Sequence, residues 1–132
     1  MKINVKIIPI EKMPFTTQGY WFEDKDTINF LISEMSDWRY TVAILFHEIA
    51  EYFTCKNKGI TTRTCDKFDE LYESLYKKGE ISRLKEPGDD RRCPYFKGHQ
   101  LGNKFERIMI KELGASWKNY LRDCAEIIER LK

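Results

Sequence analysis

The chain has 132 residues, 42% hydrophobic and 33% charged, a balance that supports a globular core and excludes a disordered chain. Its 23 Lys and Arg nearly cancel its 21 Asp and Glu, leaving a net charge of +2 with the signs interspersed, so nucleic acid and anionic membrane are disfavoured as partners. The length suits one domain over residues 1–132, no apolar run approaches a transmembrane helix, and the alternating start M-K-I-N-V-K-I-I-P-I lacks the apolar stretch of a signal peptide, which points to the cytoplasm.

In chain order, Ile3, Val5 and Ile7 alternate with Lys2, Asn4 and Lys6, the period of a half-buried strand over residues 2–10. Residues 18–23 and 27–33 flank the polar turn Asp24-Lys25-Asp26 and predict a hairpin. A first helix starts near Ser36 or Asp37, runs to about Asn57 and stops at Gly59, with Val42, Leu45, Ile49 and Phe53 as its apolar stripe. A second helix is expected over about 66–78, carrying Phe68, Leu71, Leu75 and Tyr76. The run K-E-P-G-D-D-R-R-C-P-Y then predicts an ordered loop. A third helix follows from about Tyr95 to Leu113, with Leu101, Phe105, Ile108 and Met109 facing the core, and a fourth over about 116–131. Strands followed by helices give an α+β fold: a small N-terminal antiparallel sheet of about three strands packed on about four helices. Cys55, Cys65, Cys93 and Cys124 form no C-x-x-C pair and are expected as reduced, partly buried thiols.

The chemistry centres on I-L-F-H-E-I-A-E-Y-F, residues 44–53. Residues i and i+4 of a helix lie about 40° apart around its axis, so His47 and Glu51 point the same way. Tyr40 and Ile44 share that side, so the pair is not on a plainly wet face and calls for a compensating partner such as a metal ion. The chain has one other histidine, His99, which lies on the third helix with Glu106 two turns later. Packing the two helices side by side would bring His47, Glu51 and His99 to one ion. Glu106 would serve as a fourth ligand or as the acceptor of an imidazole N–H. Glu48 occupies the position of the general base in H-E-x-x-H, the signature of zinc proteases. The bland alternative makes Glu48 and Glu51 solvated helix charges. Asp66 and Asp69 read as partners of a helix dipole, and Asp89 and Asp90 as turn residues.

The sheet followed by an H-E-containing helix resembles a minimal zincin-like metallopeptidase domain over roughly residues 17–60. By that resemblance His47 and Glu51 are ligands and Glu48 is the base. A longer string, H-E-I-A-E-Y-F, C-K-N-K-G-I-T, C-D-K-F-D-E, E-P-G-D-D-R-R-C-P-Y, then His99 and F-E-R, is similar to small proteins of phages and prophages that carry no established activity. That likeness implies that the Pro-Gly-Asp-Asp loop and His99 belong to the same site as His47. Glu51 stands where the zincin pattern has its second histidine. A harder, more anionic ligand lowers Lewis acidity and admits divalent ions other than zinc. Two functional classes follow: a metal-dependent hydrolase, peptidases included, acting on a protein or peptide, and a non-enzymatic phage-type module. In the second, the same residues hold a structural metal or a buried His/Glu network while the surface engages a host protein.

Overall fold

The computed structural model describes residues 1–131. Three strands, β1 (Lys2–Ile8), β2 (Gly19–Asp24) and β3 (Thr27–Ser33), precede four helices, α1 (Trp38–Asn57), α2 (Thr62–Lys77), α3 (Phe96–Glu112) and α4 (Trp117–Glu129). The fold is α+β, as the element order predicts. Among the described residues no helix is long and apolar enough to cross a membrane.

The sheet is mixed rather than antiparallel. β2 and β3 form the expected hairpin, with Trp21 opposite Phe30, but β1 runs parallel to β3, giving the order β1-β3-β2. Residues 9–18 carry the chain from one edge of the sheet to the other, and the hairpin then returns β3 to the centre. Burial follows from this order. Ile28, Phe30 and Ile32 of β3 are fully buried, and Trp21 joins them. β1 is not the half-buried strand that its alternation suggests: Ile3, Val5 and Ile7 are 58%, 41% and 57% exposed. They sit in register with Ile28, Phe30 and Ile32. The helix that covers β3, however, packs across β2 and β3 and leaves β1 at the margin.

α1 is capped by Asp37, whose side chain accepts the Arg39 N–H, and ends at Lys58 and Gly59, as the sequence indicates. Its buried face differs from the predicted stripe. Tyr40, Ala43, Ile44, His47, Glu48, Glu51, Tyr52 and Cys55 are buried, at the i, i+3, i+4, i+7 spacing of a helix packed on both sides. Val42, Leu45 and Ile49 are only half-buried, and Phe53 is exposed. The sheet covers one flank of α1 through Tyr52, whose ring lies 5.1 Å from Trp21 and 5.9 Å from Phe30. α3 covers the other flank. On α3 the predicted core residues Leu101, Phe105 and Ile108 are exposed, while Gly98, His99, Gly102 and Ile110 face inward. α2 begins four residues earlier than expected, because Thr61 rather than Asp66 caps it.

Two glycines one turn apart set the spacing of α1 and α3. A Cβ on Gly98 would lie 2.8 Å from the Glu51 carbonyl oxygen and 3.1 Å from its Cα, and one on Gly102 would lie 2.7 Å from the His47 ring. The Glu51 contact is with backbone, which has no rotamer by which to yield. In an open helix Gly→Ala stabilises by about 1 kcal/mol. Here overpacking, typically about 1–3 kcal/mol, opposes that gain. Gly98→Ala is therefore expected to lower the urea midpoint despite its better helix propensity; a midpoint at or above that of the unsubstituted chain would show that the helices can part freely.

Candidate metal centre

α1 delivers His47 and Glu51 to one side, and α3 delivers His99 opposite them. The three inner atoms, His47 Nε2, Glu51 Oε2 and His99 Nδ1, form an equilateral triangle with every edge 3.1 Å. All three residues are buried, at 5–7% exposure, and they lie close enough to hold a metal ion.

The outer atoms of the same side chains fix what the inner ones present. His99 Nε2 lies 3.1 Å from Glu86 Oε2 and 3.2 Å from Asp89 Oδ1. His47 Nδ1 lies 2.5 Å from Glu106 Oε1, off the N–H axis, so that the approach is a charge contact rather than an aligned hydrogen bond. A carboxylate beside each outer nitrogen favours the ring proton there, and in neutral rings of that tautomer each inner nitrogen presents a lone pair. Glu51 Oε1 accepts the Trp21 indole N–H at 3.0 Å, which turns Oε2 toward the histidines. Two lone pairs and a carboxylate oxygen thus converge on one point with their negative ends together. Only a cation or extra protons can relieve that repulsion. The dimensions suit an ion, since tetrahedral zinc with bonds of about 2.0–2.1 Å separates its ligand atoms by about 3.3 Å.

In the metal-free chain protons take that role. Burial opposes charge on His47, but Glu106 and Glu51 overrule it and push the imidazole up to about 10. His99 is likewise raised, burial being overcome by Asp89, Glu51 and Glu86. Burial favours neutral Glu51, but the two imidazoles hold it down at about 2.

Glu48 lies apart from the triangle. It is 6% exposed and leans on Gly19 at the start of β2, where a Cβ would collide with its carboxylate. Among the described residues no hydrogen bond to its carboxylate is seen; burial first and Glu51 second push the carboxyl pKa well above the ordinary range. Glu48 and the three triangle residues all line one cavity of about 330 Å³.

The sequence-predicted residues His47, Glu48, Glu51, His99 and Glu106 are therefore brought together. Glu106 faces the outer nitrogen of His47 as a charge contact and stands outside the triangle, and it accepts the Tyr120 O–H at 2.8 Å. Asp90 behaves as a turn residue, accepting the Arg92 N–H at 2.9 Å, whereas Asp89 belongs to the site. Asp66 and Asp69 are not helix-dipole partners. Asp66 accepts the Tyr20 hydroxyl at 2.9 Å, Asp69 accepts that of Tyr95, and both line the cavity. Sequence reasoning missed Trp21, Glu86 and Tyr120. It also missed the glycines: Gly19, Gly88, Gly98 and Gly102 each press on Glu48, His99, Glu51 or His47. The G-H-Q-L-G spacing around His99 carried that last signal. The four cysteines are free, and all but Cys124 are buried.

Comparison of the chain with protein-family models, curated proteins and solved structures gave no match. What the site can do follows from its geometry and chemistry alone.

Asp69 gives a pH test that does not depend on a ligand. Burial, then the neighbouring Glu51, Asp66 and Glu73, raise its carboxyl from 3.8 to about 7, against the opposing pull of the Tyr95 hydrogen bond. Between about pH 4 and 7 the folded chain keeps a proton that the unfolded chain has lost, so the contribution of Asp69 to stability falls as pH rises through that window and is level above it. Asn at this position accepts the same Tyr95 bond and does not ionise. Relative to wild type, metal-free Asp69→Asn should therefore gain about 2–4 kcal/mol of unfolding free energy between pH 4 and pH 8. Parallel stability-versus-pH curves in chelator would remove Asp69 as a buried, crowded acid.

Proposed function

We propose that the chain is a metal-dependent hydrolase of zincin-like architecture, with peptides or proteins as substrates. His47, Glu51 and His99 hold one divalent ion, zinc first and another first-row metal second, and Glu48 is the general base. The observation that carries this reading is the 3.1 Å triangle of inward-facing donors, with an unpartnered buried carboxylate on the same cavity.

A bound ion supplies Lewis acidity, acidifying water and polarising a carbonyl. The chain supplies the rest. Glu86 and Asp89 hold His99 with Nδ1 inward, Glu106 and Tyr120 do the same for His47 Nε2, and Trp21 keeps Glu51 on a single oxygen. Glu48 is free of any partner that would compete for a proton, and its surroundings strengthen it as an acceptor. It takes the proton from the attacking water and can return it to the leaving amine. Three protein ligands leave a fourth direction for substrate, the number typical of catalytic rather than structural sites.

A second reading draws on the depth of the ligands, only 5–7% exposed. In it the ion is structural and the chain is an interaction module of the phage type that engages a host protein. Glu48 separates the two readings, because a structural ion gives it no role.

Elemental analysis of protein purified without a metal-binding tag should find about one divalent ion per chain, and His47→Ala should lose it, since removing one of three ligands leaves too few donors. No ion in either protein after reconstitution would sink both readings. Glu48→Gln should keep the ion and lower hydrolysis of a mixed peptide library by roughly 10²–10⁴-fold, the usual contribution of a general base. Cleavage that survives this substitution would exclude Glu48 as the base, and an absence of cleavage by the loaded wild type would favour the structural ion.

A further inference from the structure

Charge is unevenly placed on this nearly neutral chain. Eight of its 21 Asp and Glu side chains line the cavity, against one of its 23 Lys and Arg side chains, Arg83. A divalent ion together with Arg83 would still leave the acids of the cleft in excess. Some of the acids are committed. Glu51, Glu86, Asp89 and Glu106 serve the histidines, and Glu73 binds the Thr16 N–H and hydroxyl at 2.5 and 3.0 Å. Asp66 and Asp69, one turn apart on α2, are different. Their recorded partners are two phenols, Tyr20 and Tyr95, and among the described residues no Lys, Arg or His forms an ion pair with either. Burial first, and the neighbouring carboxylates Glu51, Asp66 and Glu73 after it, hold the Asp69 carboxyl above its ordinary range.

Two further observations point to a ligand. Glu48, 6% exposed and without a hydrogen-bond partner among the described residues, lines the same cavity as the unbalanced acids. Arg83, the one Lys or Arg among the described residues that line the cavity, shows how these walls accommodate a cation. Its guanidinium carbon lies 5.6 Å from the Tyr76 ring centroid, and Nη1 lies 2.9 Å from Thr16 Oγ1 and 3.9 Å from Glu73. A carboxylate, a hydroxyl and an aromatic face surround it, the ordinary setting for a cation with an apolar stem. Asp66 and Asp69 repeat that combination on the wall of the same cavity, with the hydroxyls of Tyr20 and Tyr95 and, among the described residues, no cation paired with them.

Resting on the hydrolase reading above, we propose that the cleft selects substrates with a lysine- or arginine-like side chain beside the bond that is cut, and that Asp66 and Asp69 receive its ammonium or guanidinium group. Neutral and acidic side chains at that position meet uncompensated carboxylates and are disfavoured.

L-lysine hydroxamate and L-norleucine hydroxamate test this directly. Both carry the same metal-binding group and the same α-amino group, and they differ in the terminal ammonium. Titrated calorimetrically into the zinc-loaded full chain at neutral pH and low salt, the lysine compound should bind roughly tenfold more tightly or better, the size of one charge-assisted hydrogen bond. The ratio should shrink with added salt. In Asp66→Asn, and further in the Asp66→Asn/Asp69→Asn double variant, it should fall toward one at wild-type zinc content. Equal affinities in wild type would overturn the proposal whatever the variants do, and a ratio that persists in a folded, zinc-loaded Asp66→Asn/Asp69→Asn protein would overturn the assignment to these two residues. If the chain takes up zinc but binds neither hydroxamate, the open-site reading fails and this one fails with it, a result distinct from equal binding of both.

Discussion

The fold depends on one awkward convergence: two imidazole nitrogens and a carboxylate oxygen, mutually 3.1 Å apart, buried between two helices. Apolar side chains in that space would cost nothing in desolvation, whereas each of these groups gives up water when it is buried. The arrangement is tolerable only if something positive sits at its centre and the outward-facing atoms find partners. Both conditions leave marks in the surrounding structure. The first appears as imidazoles that hold protons far above their usual range when no ion is present. The second appears as carboxylates drawn from two separate segments: Glu86 and Asp89 from the loop after α2, and Glu106 from α3.

Meeting these demands recruits nearly every element. β2 contributes Trp21, which holds the second oxygen of Glu51, and Gly19, whose bare backbone makes room for Glu48. α3 contributes two glycines that let it come close enough for His99 to meet His47, with ring centroids 4.7 Å apart. α4 reaches the site through Tyr120, whose hydroxyl holds the Glu106 carboxylate that faces His47. The apolar core lies to one side of this polar centre, around Phe30, Tyr52 and Trp21, so α1 has a hydrophobic flank against the sheet and a chemical flank against α3. An ion bound at the centre would stabilise the fold by mass action, because the unfolded chain brings its donors together far less well.

How much of this could be read beforehand varies by feature, for physical reasons. The helix bearing His47 was legible from Asp37 to Gly59, because caps and αL glycines act through local backbone chemistry. The i, i+4 pairing of His47 with Glu51 follows from helix geometry alone, and the scarcity of histidine singled out His99. The apolar stripe on α1 was placed wrongly for an instructive reason. Counting hydrophobic residues assigns the core to Val42, Leu45, Ile49 and Phe53, yet here His47, Glu48 and Glu51 share the deeper face with Tyr40, Ala43, Ile44, Tyr52 and Cys55. The same exchange on α3 left Leu101, Phe105 and Ile108 outside and brought Gly98, His99 and Gly102 in. Alternation in β1 shows which residues share a face but not whether anything covers it. The parallel pairing of β1 with β3 is a property of the 9–18 crossover and has no local signature. Trp21, Glu86 and Tyr120 owe their roles to tertiary placement, which residue type and spacing do not encode.

The distribution of polar groups also bears on whether the centre is a staple or a reaction site. A structural ion is served best by four protein ligands in a closed shell, and every other acid nearby then adds repulsion without benefit. This cavity departs from that economy three times. It offers three ligand atoms rather than four, it buries Glu48 without a partner, and it gathers Asp66 and Asp69 with phenols but no cation. Two of these carry a cost in ionisation: burial first, and neighbouring carboxylates after it, push the carboxyl groups of Glu48 and Asp69 above their ordinary range. Groups held at such cost cluster where a ligand or a reacting atom repays them. On the hydrolase reading proposed above, an open ligand position, the buried Glu48 carboxylate and an unbalanced pair of acids on the wall of one cavity are complementary deficits, which a water and a substrate bringing a carbonyl and a positive charge would together satisfy.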